Sequence, residues 1–343
     1  MVAGVVDLQA LGAWMDDQGL PGGEITDVEA LGGGTQNVLL RFRRGGETFV
    51  LRHPPPHKRS NSDETMRREA RVLAALAGSD VPHPRLIAAC GDESVLGSAF
   101  YLMEPIEGAN PTVGLPQPYL DSAAWRHALG LAMADGAAAV GAVDHEAVGL
   151  SDLGRVDGYL ERQVARWRAQ LDSYSELPGY PGPDIPGVDE VGAWLDANRP
   201  TSWRPGLIHG DYHLANVLCR YDRPSPLAAI VDWELTTIGD PLLDLGWLLA
   251  TWPDPSGAAG AVGHGIPDLP TPAELVRRYG ERSDRDLSAI AWYEVLACYK
   301  LGLILEGTHA RAFAGLAPKE TGDQLHASTV GLFRRALDRI GAA

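Results

Sequence analysis

Between residues 38 and 52 apolar and polar positions alternate as a half-buried sheet requires. Val38, Leu40 and Phe42 share one face, "RRGGE" (43–47) supplies a turn, and "TFVLR" (48–52) resumes the alternation. This period of two predicts an antiparallel hairpin. "HPPPHK" (53–58) ends it, because proline cannot continue a ladder. The period then changes. In "SDETMRREARVLAALAG" (62–78) apolar residues recur three and four apart, after an acidic first turn and before a glycine stop, which predicts a helix. Residues 6–19 predict a short amphipathic helix. "SVLGSAFYLMEPIEG" (94–108) reads as two further strands turning at Gly97, followed by a linker at Pro105–Gly108.

Beyond residue 117 the helical period dominates. Residues 121–143, 154–174, 187–200 and 240–252 each carry it. Pro/Gly-rich loops separate them at 176–187 and 253–271, and "PLAAIVDWE" (226–234) interrupts as a short apolar strand. No internal repeat is visible. The expected fold is α+β and bilobal: a sheet-rich lobe over residues 1–103, a hinge at 104–108, and a helical lobe over 109–343.

The chain's 343 residues suffice for two such lobes. Charge narrows the partners. With 29 Lys and Arg against 45 Asp and Glu the net charge is −16. Nucleic acid and anionic membrane surfaces both reward a basic protein, so neither is expected as a partner. Cys90, Cys219 and Cys298 are far apart and lie in apolar contexts, so buried free thiols are expected. The N-terminal residues lack a basic leader, and no apolar run approaches about 18 residues. A cytoplasmic location is the expectation.

The chemistry concentrates in "LIHGDYHLANVL" (207–218). Its leucines, isoleucine and valine call for burial, whereas His209, Asp211, His213 and Asn216 cannot be buried cheaply without partners. Asn216 follows Asp211 by five residues, and "IVDWE" (230–234) then places Asp232 after an apolar strand. A carboxylate that accepts a hydroxyl proton, with an amide oxygen and a second carboxylate for a hard divalent cation, suits phosphoryl transfer.

"HGDYHLANV" followed by "IVDWE" resembles the aminoglycoside phosphotransferase and choline kinase family, which has a protein-kinase-like fold. The resemblance is strongest to the phosphotransferase-like domains that accompany some acyl-CoA dehydrogenases, and it runs over residues 24–310. It implies Asp211 as catalytic base, Asn216 and Asp232 as magnesium ligands, His209 as a structural residue, and ATP or GTP as co-substrate.

The first lobe supports this independently. Glu69 shares a helix face with Met66, Leu73 and Leu76, and a carboxylate there wants a cation. Strand residue Arg52 is the candidate. Protein kinases place a lysine at the corresponding point to hold nucleotide phosphates. Arginine departs from that pattern but can grip phosphate bidentately. "LGGGTQN" (31–37) offers Gly33, Gly34 and Thr35 to cover phosphates. At the hinge, the Glu104 carbonyl and the Ile106 N–H are candidates for adenine. Asp240 and Asp244 read as anchors of the catalytic loop, and Lys300 as a side chain that either snorkels outward, the preferred reading, or points into a pocket to bind an anionic substrate.

The expected function is therefore an ATP- and Mg²⁺-dependent phosphotransferase acting on a small-molecule hydroxyl. An aminoglycoside kinase and a hydroxyacyl-CoA or other metabolite kinase are alternative acceptor readings. The three arginines of "ERQVARWRAQ" (161–170) suit the latter or equally form a solvated helix face. A catalytically inactive nucleotide-binding protein is the competing class. A hydrolase is disfavoured, because no nucleophile motif accompanies the histidines.

Overall fold

The computed structural model describes residues 6–32, 37–55, 57–253 and 265–342. The first lobe is a five-stranded antiparallel sheet, in the order β1-β2-β3-β5-β4. Its strands are β1 (Thr26–Ala30), β2 (Val38–Arg44), β3 (Glu47–His53), β4 (Leu86–Cys90) and β5 (Phe100–Met103). The β2–β3 hairpin closes on Gly45 and Gly46, with φ of 57° and 85°. Two successive positive φ values match the twist of the strands, and glycine adopts them without strain. Leu40, Phe42, Phe49 and Leu51 share one face of the sheet with Phe100 and Leu102, where Leu11, Trp14 and Met15 of α1 (Leu8–Asp17) cover them. The period of two sends Arg52, paired with Tyr101 in register, to the opposite face. That face meets α2 (Ser62–Ala75), whose Met66, Glu69, Ala70 and Leu73 are buried.

One expectation fails here. Residues 94–96 do not form a strand. Asp92 caps a helical turn, α3 (Glu93–Leu96), by accepting from Ser94 N–H at 2.9 Å, and Gly97 ends it at φ 77°. β5 lies between β3 and β4, and the two alanines of β4 gave no strand signal.

The second lobe is mainly helical. Its helices are α4 (Gln117–Asp121), α5 (Ala123–Gly141), α6 (Gln163–Ser173), α7 (Val188–Ala197), α8 (Leu242–Thr251), α9 (Pro272–Gly280), α10 (Ile290–Phe313) and α11 (Lys319–Gly341). Helix α6 begins nine residues later than 154, the start the periodicity suggests. Gly158 takes φ 60°, which breaks the helix, and Gly154 lies so close to β9 (Thr237–Gly239) that a Cβ would meet Thr237 Oγ1 at 2.2 Å. Two small ladders cross this lobe. β6 (Gly206–Ile208) pairs with β9, and β7 (Val217–Leu218) pairs with β8 (Ala229–Ile230). The expected strand at 226–234 shrinks to these two residues, because Asp232 turns the chain at φ 67°.

Helix α8 is buried along nearly its whole length and crosses α10 at Gly246. A Cβ there would lie 2.6 Å from the backbone of Tyr293. Gly246→Ala is expected to cost about 1–3 kcal/mol by overpacking, measured as a lower denaturation midpoint with an unchanged m-value.

Candidate active site

The β7–β8 ladder sets the central geometry. Val231 N–H donates to the Asn216 carbonyl at 2.9 Å, so Asn216 enters β7 where Asp232 leaves β8. His209, fully buried, contacts the Val231 carbonyl through Nε2 at 2.9 Å and ties the two segments together. Asp244, at the start of α8, accepts from His209 N–H at 2.6 Å and Gly210 N–H at 2.9 Å. Gly210 itself has φ 89°, and a Cβ there would meet the Leu235 carbonyl at 2.5 Å. The loop is thus held by a buried carboxylate, a buried imidazole and a glycine.

Asp211 emerges from this anchored loop. Its Oδ1 accepts from Trp247 Nε1 at 3.0 Å and lies 3.2 Å from His213 Nε2. Its Oδ2 accepts from Asn216 Nδ2 at 3.0 Å. Burial pushes this carboxyl up, but the hydrogen bond and charge of His213, with His209 and Asn216, outweigh it and hold it at about 2. Asp211 is therefore an anion throughout the neutral range. Asn216 also donates to the Asp211 carbonyl at 2.9 Å. Both contacts use its nitrogen, which leaves Oδ1 as an available ligand oxygen among the described residues.

A second cluster faces it from the sheet. Arg52 donates to Glu69 Oε1 at 2.8 Å and to Asp232 Oδ1 at 2.7 Å. Glu69 is fully buried and also accepts from Tyr101 Oη at 3.3 Å. Burial pushes the Glu69 carboxyl up while Arg52 pulls it down; Arg52 itself is held firmly charged by Glu69 and Asp232, against its own burial. Carboxylate oxygens of Glu69, Asp232 and Glu234 lie within 4.8 Å of one another. Burial and Asp232 push Glu234 upward as well. Three carboxylates around one guanidinium leave an excess of negative charge. That donor set, with Asn216 Oδ1, fits a hard divalent cation that prefers oxygen. Asp232 holds a left-handed conformation without being glycine, which costs on the order of 1–3 kcal/mol and is typical of functional sites. Helix α2 is fixed to the second lobe as well: Arg68 donates to the carbonyls of Thr236 at 2.6 Å and Leu153 at 3.2 Å.

Glu104 N–H is bonded to the Arg85 carbonyl at 3.0 Å, and its carboxylate accepts from Arg85 N–H at 3.1 Å. The Glu104 carbonyl and Ile106 N–H have no hydrogen-bond partner among the described residues. A cavity of about 520 Å³ adjoins Glu104–Glu107, but it opens beside Ala77–Pro82 and none of the charged cluster lines it. Gly33, Gly34 and Thr35 lie outside the described residues.

Two further residues shape the site. Trp247 is buried, and its indole N–H orients Asp211. Lys300 does not snorkel outward. Its ammonium lies 4.6 Å from the Trp247 ring and 5.5 Å from that of Trp167, and reaches the Gly210 carbonyl at 3.4 Å. Burial lowers Lys300 to about 8, although Asp211 and Asp244 pull the other way. The signal was a lone cation in the apolar stretch "YEVLACYKLGLILEG".

Residues 27–286 match the model of the phosphotransferase enzyme family. The chain belongs to that family. It is 28% identical over 314 residues to acyl-CoA dehydrogenase family member 10 of Mus musculus, covering 89% of this chain and 28% of that protein. The chain thus spans less than a third of that relative. Among solved structures, a Ralstonia eutropha protein assigned to the aminoglycoside phosphotransferases is 30% identical, with a TM-score of 0.80 over 97% of this chain and 99% of the other. The ternary complex of a thermostable mutant of aminoglycoside phosphotransferase APH(4)-Ia with ADP and hygromycin B is 16% identical, with a TM-score of 0.56 over 92% and 97% of the two chains. That last likeness concerns the fold alone. The architecture is the bilobal, kinase-like α+β fold of these phosphotransferases, and among the described residues no helix is long and apolar enough to cross a membrane.

Proposed function

We propose that the chain is an ATP- and Mg²⁺-dependent phosphotransferase that phosphorylates a hydroxyl of a small molecule. The observation that carries this reading is the convergence of Asp211 and Asn216 with the Arg52–Glu69–Asp232 cluster. Phosphotransferases of the same fold bind ADP or GDP, so the co-substrate would be ATP or GTP, with the Glu104 carbonyl and Ile106 N–H as the groups that would hold its base. Gly33, Gly34 and Thr35 would cover its phosphates. Asn216 and Asp232 would hold magnesium, with Glu234 beside them. Bound there, the ion would neutralise charge on the transferred phosphoryl group.

The chain's own residues then have separate tasks. Arg52, oriented by Glu69, grips nucleotide phosphate bidentately. Trp247, His213 and Asn216 fix the Asp211 carboxylate, which orients the acceptor hydroxyl and accepts its proton. The acceptor oxygen bonds to the γ-phosphorus as the bond to the leaving ADP oxygen breaks. A base held near 2 is weak, so its main contribution is alignment. ATP hydrolysis without acceptor should stay far below acceptor-dependent transfer; equal rates would overturn the reading.

Lys300 favours an acceptor that carries an anion, such as a hydroxyacyl-CoA or another metabolite, over a polycationic aminoglycoside. No carboxylate oxygen lies within 4 Å of its ammonium among the described residues. Arg166, exposed over the Trp167 ring at 5.1 Å, adds a second cation on the same side. Arg168 and Arg162 contribute less, because Arg168 pairs with Asp189 and Arg162 with backbone carbonyls. Lys300→Met is expected to raise KM for an anionic acceptor about 10-fold or more, as loss of a charge-assisted contact would, and to leave KM for ATP unchanged. In the wild type that KM should rise as pH passes upward through about 8, where the ammonium loses its proton. A pH-independent KM, or a cationic acceptor preferred by the wild type, would contradict this acceptor class.

A further inference from the structure

The α10–α11 hairpin carries a second cluster of ligating side chains, away from the phosphoryl-transfer residues. Glu306 and His309 stand one turn apart on α10, and Asp323 and His326 one turn apart on α11. That spacing puts each carboxylate and imidazole on one helix face. The two faces meet closely: a Cβ on Gly322 would lie 2.6 Å from Ala312 Cβ and 3.3 Å from His309 Cα.

Glu306 is completely buried, and no lysine or arginine nitrogen lies within 4 Å of it among the described residues. Its oxygens contact Tyr180 Oη and His326 Nδ1, each at 2.7 Å. The His309 and His326 rings stack with centroids 4.4 Å apart. His309 Nδ1 is buried without a hydrogen-bond partner, and its nearest carboxylate oxygen, on Asp323, is 3.8 Å away. An unsatisfied buried nitrogen next to a buried carboxylate that no lysine or arginine pairs is costly unless something else binds them.

We propose that Glu306, His309 and His326 form a transition-metal site of the zinc type, which staples α10 to α11. One ligand atom from each lies within 4.8 Å of the others. Two imidazoles and a carboxylate are a donor set that Zn²⁺ accepts, with metal–ligand distances of about 2.0–2.2 Å. Side-chain rotation closes the remaining gap, and the stacked rings splay as it does. His326 keeps 23% of its side-chain surface exposed, which gives a metal ion a way in and leaves a solvent-facing fourth position. The same helix carries Lys300 six residues before Glu306, so the staple also fixes the acceptor-side wall.

The test uses the full chain, stripped with chelator and titrated with Zn²⁺ or Co²⁺ in excess Mg²⁺, which occupies oxygen-only sites. The expected result is one tightly held Zn²⁺ per chain, a visible Co²⁺ absorption band, and a higher Tm with zinc. His309→Asn and His326→Gln should each weaken binding by about 10-fold or more, whereas His145→Gln should not. His309→Asn leaves the Tyr180–Glu306–His326 contacts in place, so it remains informative if His326→Gln fails to fold. Absence of Zn²⁺ binding, or binding indifferent to His309→Asn, would overturn the proposal and leave the cluster a packing contact.

Discussion

Asp211→Asn is expected to lower kcat by about 10²- to 10⁴-fold while nucleotide affinity stays near the wild-type value. The substitution keeps the side-chain shape and removes the charge. It also presents an amide NH₂ to a site built from donors: Trp247 Nε1, His213 Nε2 and Asn216 Nδ2 all point at the Asp211 oxygens. One of those donors loses its acceptor, so a stability loss of about 1–3 kcal/mol accompanies the catalytic one. ADP release under saturating substrates measures the first effect. Calorimetric titration with ATP and Mg²⁺ checks that binding persists. A variant that retains more than a tenth of wild-type kcat would remove Asp211 from the chemistry.

Arg52→Met is expected to destabilise the protein by about 3–5 kcal/mol, as well as abolish transfer. The reason lies in the partner left behind. Glu69 has no exposed surface, and without Arg52 its remaining contact is the Tyr101 hydroxyl at 3.3 Å. Asp232 also loses the cation that balances it at 2.7 Å. The double variant Arg52→Met, Glu69→Leu removes the stranded carboxylate and should recover most of the stability without recovering activity. Urea unfolding of the two variants separates these effects. Equal destabilisation of the single and double variants would mean that packing of the arginine stem, rather than the buried charge, dominates.

What could be read from the sequence followed periodicity and charge logic. The hairpin of β2 and β3 was legible because its alternation is strict and its turn is two glycines. The Arg52–Glu69 contact was legible because a glutamate on an apolar helix face demands a cation, and the strand next to it offers one. Strand β4 was not, since Ala88 and Ala89 carry little strand signal and pairing with β5 decides their conformation. Lys300 stayed open between two placements for a similar reason. A lysine on an apolar helix ordinarily reaches solvent, and nothing local reveals that two tryptophans from α6 and α8 will enclose it. The role of Trp247 was not legible because a tryptophan in a leucine-rich helix reads as core or as a substrate wall, and only the tertiary approach of the Asp211 loop brings a carboxylate to its indole. The short strand β8 shows the limit of apolar runs: Asp232 adopts a backbone conformation that no pattern of hydrophobicity encodes.

The most direct test of the account is wild-type ADP release over a panel of hydroxyl acceptors sorted by charge, with ³¹P NMR to locate the transferred group. The panel spans hydroxyacyl-CoAs and hydroxy acids, sugars, choline and amino alcohols, and aminoglycosides. Mg²⁺-dependent release that requires an acceptor is expected, with phosphate appearing on a hydroxyl of one acceptor class. Failure of ATP and GTP to bind in the presence of Mg²⁺, or ADP release that needs neither acceptor nor Mg²⁺, would contradict it.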